Sequence, residues 1–176
     1  MNTTKWALDP THSEITFKVK HMMFTNVSGS FEKFEIIANT DGDDFSKSII
    51  SFSADVDSIS TKSIDRDNHL KGPDFFDAAN FPLMKFAATN YEKGTYIDKL
   101  TGNLTIRDVT KPITLDIENG GIAKDPWGNL KTGFSLTGKI NRRDFGLTWN
   151  ATLDNGGILV GEEVTISAEI QLIKQV

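Results

Sequence analysis

Three histidines, His12, His21 and His69, are the residues of this chain most obviously equipped for chemistry. Three imidazoles plus a water make a catalytic zinc site, and any one of them titrates near neutral pH. Their spacing supports neither use: nothing like HExxH sets two of them on one face of an element, so a histidine bonded to backbone or carboxylate is the plainer reading. Asp74 and Asp77 flank Phe75 and Phe76. Paired carboxylates serve hydrolases, but the same residues serve caps and turns, with the Phe pair closing one end of the fold. Asp65, Arg66, Asp67 and His69 form a charged run that either grips a polar head group or lies on the surface as a salt-bridged helix. Arg142, Arg143 and Asp144 form a second, read as a turn held by arginine hydrogen bonds. No serine sits in GxSxG, and neither GxGxxG nor GxxxxGK[ST] occurs. With no cysteine there is no disulfide, thiol nucleophile or zinc thiolate. No catalytic residue, metal ligand or cofactor is assigned.

The elements that must position these groups are strands. In SEITFKVKH, Ile15, Phe17, Val19 and His21 alternate with Glu14, Thr16, Lys18 and Lys20, the period of a half-buried strand. The apolar parity of VSGSFEKFEII slips between Phe31 and Phe34, which predicts one long strand bent by a β-bulge. Ile50, Phe52, Ala54 and Val56 alternate in the next stretch, and Leu100, Gly102, Leu104 and Ile106 in a later one. A corner at Arg107 and Asp108 leads to Ile113, Leu115 and Ile117, with Pro112 expected at a strand start, a bulge or a locally unpaired position. Phe134, Leu136 and Ile140 precede a glycine-containing break, and Val164, Ile166, Ala168, Ile170 and Leu172 make the clearest strand, able to pair with the first. Between these lies a polar excursion, capped by Ser60 or Thr61, helix-compatible to Leu70 and stopped by Gly72 and Pro73.

About eight strands with one helical excursion and no βαβ rhythm predict an antiparallel all-β fold, either a closed barrel or a sandwich. Twelve Phe against three Trp and two Tyr favour an apolar interior, filled or hollow. At 176 residues, one domain over 1–176 is expected. A net charge of −5 and no arginine cluster argue against a nucleic-acid partner. No run of apolar residues is long enough for a transmembrane segment, and MNTTKWALD has no signal-peptide pattern. A cytoplasmic protein is expected from the sequence as it stands, and a periplasmic one if a leader has been removed.

An ordered series runs through the chain: Trp6 and Asp9; His12 and Ser13; Phe17 and His21; Gly29, Ser30, Phe31; Arg66, Asp67, His69, Leu70; Phe75, Phe76, Asp77; Phe81, Pro82; Gly102 to Ile106; Val109 to Pro112; and Arg143 to Gly146. This series resembles the YceI-like family of bacterial polyisoprenoid-binding proteins over essentially the whole chain. The resemblance implies an extended, lipocalin-like, eight-stranded antiparallel barrel with one or two short helices. It further implies an elongated tunnel for a polyprenyl chain or isoprenoid quinone, a role in carriage or storage, links to stress response and a possible homodimer. Inward parity nominates Phe17, Val19, Phe31, Phe52, Phe86, Leu104, Leu115, Phe134 and Ile166 as the tunnel lining, with Phe75 and Phe76 at its end. For the head group, His21 with Asp65, Arg66 and His69 supplies donors and acceptors at a plausible mouth. Two other readings remain open: an interaction domain with a filled core, and an enzyme acting on an apolar substrate in the same cavity.

Overall fold

The alternating side chains resolve into one antiparallel sheet that closes on itself. The computed structural model describes residues 2–176. Its strands are β1 (Thr3–Leu8), β2 (Glu14–His21), β3 (Thr25–Phe31), β4 (Phe34–Asp41), β5 (Asp44–Asp55), β6 (Ile59–Ser60), β7 (Leu83–Glu92), β8 (Asp98–Ile106), β9 (Val109–Lys124), β10 (Leu130–Asn141) and β11 (Val160–Lys174). One helix, α1 (Ile64–Lys71), lies between β6 and β7. β1 and β2 follow one another along the same edge of β11, as Trp6 pairs with Lys174 and Phe17 with Ile166. β4 pairs with β1 and β3 with β2, while β5 pairs with β4 and β6 with β3. The eleven segments therefore make eight strands, the first three of them broken at mid-height, and β7 to β11 complete the ring. Among the described residues, no helix is long and apolar enough to cross a membrane.

Two local expectations are revised and a third is met. The slip between Phe31 and Phe34 is a break, not a bulge: Glu32 and Lys33 lie between two strands that have different partners. The N-cap of α1 is Ser63, whose hydroxyl accepts from the Arg66 N–H, and neither Ser60 nor Thr61. Ser60 is taken up in β6, and Thr61 is bonded to the side chains of Arg66 and Asp67. Pro112 sits inside β9 opposite Asn103, where β10 has not yet joined, so one edge of its strand is unpaired.

The two ends of the barrel differ. At the end where β1 begins, Trp6 packs on Phe45 with ring centroids 5.2 Å apart, and Phe45 on Phe134 at 5.0 Å. The Trp6 indole N–H donates to Thr40 Oγ1 at 2.9 Å, so this aromatic plug buries its polar atom satisfied. The helix and the segments after β6 and β10 gather at the opposite end.

The break between β1 and β2 is held by a buried carboxylate. Asp9 accepts from His12 Nδ1 at 3.0 Å, Thr11 Oγ1 at 2.8 Å and Lys131 Nζ at 3.1 Å, and its own N–H donates to the Gln171 carbonyl at 2.9 Å. Burial pushes its pKa upward, but the hydrogen bonds from His12, Thr11 and Lys131 overcome this and hold the carboxyl well below its ordinary range. A folded pKa below the unfolded one gives stability that is complete above the unfolded value of 3.8 and is lost as pH falls toward the folded value. Asp9→Asn is expected to lower unfolding free energy at neutral pH by about 1–2 kcal/mol, with the gap to wild type narrowing in urea melts at progressively more acidic pH.

Candidate ligand-binding cavity

Between the aromatic plug and the helix the barrel is hollow. The cavity has a volume of about 530 Å³ and takes its walls from β2 to β5 and β7 to β11. Phe17, Val19, Phe31, Phe52, Phe86, Leu104, Leu115 and Ile166 all line it, and Phe17, Phe52 and Ile166 are only half-buried although they point inward. Phe134 does not line it. Its inward parity is as expected, but its height is not: paired with Ile170 and packed on Phe45, it belongs to the plug that forms the cavity floor.

Glycines set the width of the bore. A Cβ on Gly29 would enter the Phe17 ring, one on Gly102 would enter the Phe86 ring and stand 2.6 Å from the Ala87 carbonyl, and one on Gly138 would stand 2.5 Å from Leu115 Cδ2. Each bare backbone lets the neighbouring strand's lining side chain lie flat against the wall instead of across the lumen.

The polar groups sit at the mouth. His21, at the end of β2, is exposed on the rim, and Asp65, Arg66 and His69 reach the cavity from α1. Arg66 is partly committed, since Nε and Nη2 donate to the Thr61 hydroxyl and carbonyl, each at 2.7 Å. His69 Nε2 lies 3.0 Å from Asp74 Oδ2, and its ring meets Phe75 and Trp149 edge-on at 5.1 and 4.7 Å. Phe76 packs edge-on against Phe31 at 5.9 Å. Phe75 and Phe76 thus frame the mouth, and the flanking carboxylates do not converge: Asp77 accepts from the Asn80 side chain within its own turn. His12, bound to Asp9 at the β1–β2 break, is not a cavity residue. Among the described residues no group of three His, Asp or Glu is placed to hold a metal ion.

Two mouth residues lay outside the candidate set. Trp149 belongs to the unpatterned segment after β10, and nothing in its spacing marked it. Arg142 is 5% exposed and lines the cavity wall. It donates to the carbonyls of Leu147 at 2.7 Å, Trp149 at 2.8 Å, Val160 at 3.2 Å and Gly161 at 2.8 Å, stapling the segment between β10 and β11 over the rim. Burial lowers its pKa, and the charge of Glu162 acts the other way; the guanidinium remains protonated. The arginine-held turn expected from the sequence is therefore part of the mouth.

A closed antiparallel barrel, plugged at one end and hollow toward the other, places the protein among lipocalin-like barrels. The chain belongs to the YceI-like domain family, whose pattern matches residues 6–172. A UPF0312 protein of Staphylococcus aureus is 36% identical over 169 residues, 96% of each chain. The YceI protein of Campylobacter jejuni superposes with a TM-score of 0.74 at 35% identity, over 89% of this chain and 90% of that one. Burkholderia cenocepacia BcnA gives 0.78 at 22% identity over 93% and 98% of the two chains. A polyisoprenoid binding domain from Saccharophagus degradans gives 0.72 at 12% identity over 97% and 98%. The last two bear on the fold alone.

The glycine seats predict a contrast. Gly102→Ala must displace backbone and is expected to cost about 1–3 kcal/mol in thermal or urea melts. Gly138→Ala meets only the end of a flexible side chain; it should be nearly neutral in stability while a crystal structure shows Leu115 swung into the lumen.

Proposed function

We propose that this protein binds a long-chain isoprenoid lipid, tail first, and that its role is carriage or storage without chemistry on the lipid. The observation that carries this reading is the one-ended apolar cavity whose charged side chains are gathered at its mouth. A volume of about 530 Å³ lies inside the range of roughly 300–1,000 Å³ typical of small-molecule sites. Each buried CH₂ contributes about 0.8 kcal/mol, so one five-carbon prenyl unit brings about 4 kcal/mol of gross driving force. Ordering a flexible tail offsets part of that, which limits the gain from added units once the lumen is full. The polyisoprenoid binding described for the Saccharophagus degradans domain agrees with this chemistry. A carrier also accounts for the ionisable groups better than an enzyme does, because His21, Asp65, Arg66 and His69 meet a head group at the rim and leave the tail among apolar side chains. A filled-core interaction domain would leave no such space.

Native mass spectrometry of freshly purified protein, followed by organic extraction, is expected to reveal a stoichiometric prenyl adduct. Ile166→Glu, which sets an unpaired carboxylate against the lumen, is expected to abolish the adduct while far-ultraviolet circular dichroism shows the barrel retained. His21→Ala is expected to weaken binding several-fold. Wild-type protein that carries no adduct and takes up no added isoprenoid quinone would end this reading.

A further inference from the structure

The tip of the β2–β3 hairpin is built against the usual rules of such turns. The Phe24 N–H donates to the His21 carbonyl at 3.1 Å, and the two central residues, Met22 and Met23, have φ of 51° and 65°. A hairpin turn with both centres left-handed ordinarily carries Asn-Gly, because a long side chain there brings Cβ against the backbone. Here that strain is borne by two methionines and followed by a phenylalanine. None of the three is sheltered: Met22 is 37%, Met23 65% and Phe24 74% exposed. Burial accounts for little of Met23 and Phe24, and exposed apolar side chains in a strained turn are a signature of a binding role.

The surroundings of the tip indicate what it meets. The residue before the turn, His21, is on the rim of the cavity mouth. The Met22 N–H donates to the Leu159 carbonyl at 2.8 Å, which fixes the tip to the arginine-stapled segment, and that segment exposes Ile158 beside it. Between Glu14 and Glu32 the chain carries Lys18, Lys20 and His21 and no carboxylate, in a protein of net charge −5. Beside the lysines on β11, Glu162 and Glu163 are paired with Arg143 and Lys139; the stapled segment contributes Asp154, while Asp65 lies across the mouth on α1. The tip is small, convex, apolar and backed by two lysines, a form suited to the interface of an anionic bilayer more than to a protein groove.

We propose that the Met22–Phe24 tip docks the barrel mouth onto an anionic lipid bilayer, inserting its three side chains at the head-group level so that the cavity opens toward the membrane. This rests on the reading of the cavity as a lipid site. The test is flotation with phosphatidylcholine vesicles containing phosphatidylglycerol, comparing wild type with a Met22→Asn, Met23→Gly double variant and with Phe24→Asp. The double variant supplies the turn's preferred residues, so its melting temperature is expected to stay level or rise while its partition onto vesicles falls about tenfold or more. Phe24→Asp should lose partition likewise, and a Phe24→Trp variant should shift its emission to the blue on adding vesicles. Uptake of a prenyl lipid from detergent micelles requires the cavity alone, so its retention in the double variant separates docking from lipid binding. Equal flotation of wild type and double variant, or no emission shift, would overturn the proposal. So would light scattering that shows a wild-type dimer converted to monomer by the double variant, which would assign the tip to a second copy of the chain.

Discussion

Everything in this molecule depends on the closure of the sheet by β11, which pairs with β10 along one edge and with β2 and then β1 along the other. Closure removes most of the exposed edges that strands of this length would otherwise offer to other chains; β3 keeps one, since only Ser30 and Phe31 of it meet β6. It also fixes how wide the interior is, because eight strands leave just enough room to be filled by side chains or to hold one small ligand. Which outcome occurs is decided level by level. Where Trp6, Phe45 and Phe134 converge the lumen is full; where Gly29, Gly102 and Gly138 let neighbouring side chains lie flat it is hollow. Strand number sets the bore, and residue size at each height sets its occupancy.

The broken strands are part of the same compromise. Splitting the first three strands relaxes the wall at mid-height, and the buried Asp9 with its histidine, threonine and lysine partners secures the gap that results. One of the three histidines, His12, is thus used to anchor a turn. At the mouth a second buried charge, Arg142, does comparable work with backbone carbonyls as its partners, tying down a segment that has no ladder of its own. The protein spends its charged side chains on architecture at both places where the sheet cannot supply hydrogen bonds.

These origins explain what could be read from the sequence. Wherever a residue's role depends on which face of a strand it occupies, as for Phe17, Leu104 or Ile166, alternation was sufficient, and the corner at Arg107 was equally plain because two parities meet there. Height along the barrel was not legible. Phe134 has the same inward parity as Leu136, yet one is floor and the other wall, and only the pairing register distinguishes them. The slip between Phe31 and Phe34 was visible, but a bulge and a break leave the same mark on the sequence, and the choice between them lies in pairing partners far along the chain. Trp149 was invisible for a related reason: its segment is shaped by tertiary hydrogen bonds to Arg142 and has no period to detect.

The aromatic floor has a directional consequence. A tunnel open at both ends would let a long guest thread through, whereas a lumen stopped by Trp6, Phe45 and Phe134 would take a guest from the helical end and return it the same way. The first atoms in are the last out. If the guest is the lipid proposed above, an acceptor would meet its outermost group while the remainder is still enclosed, so that recognition would precede exposure of the insoluble portion.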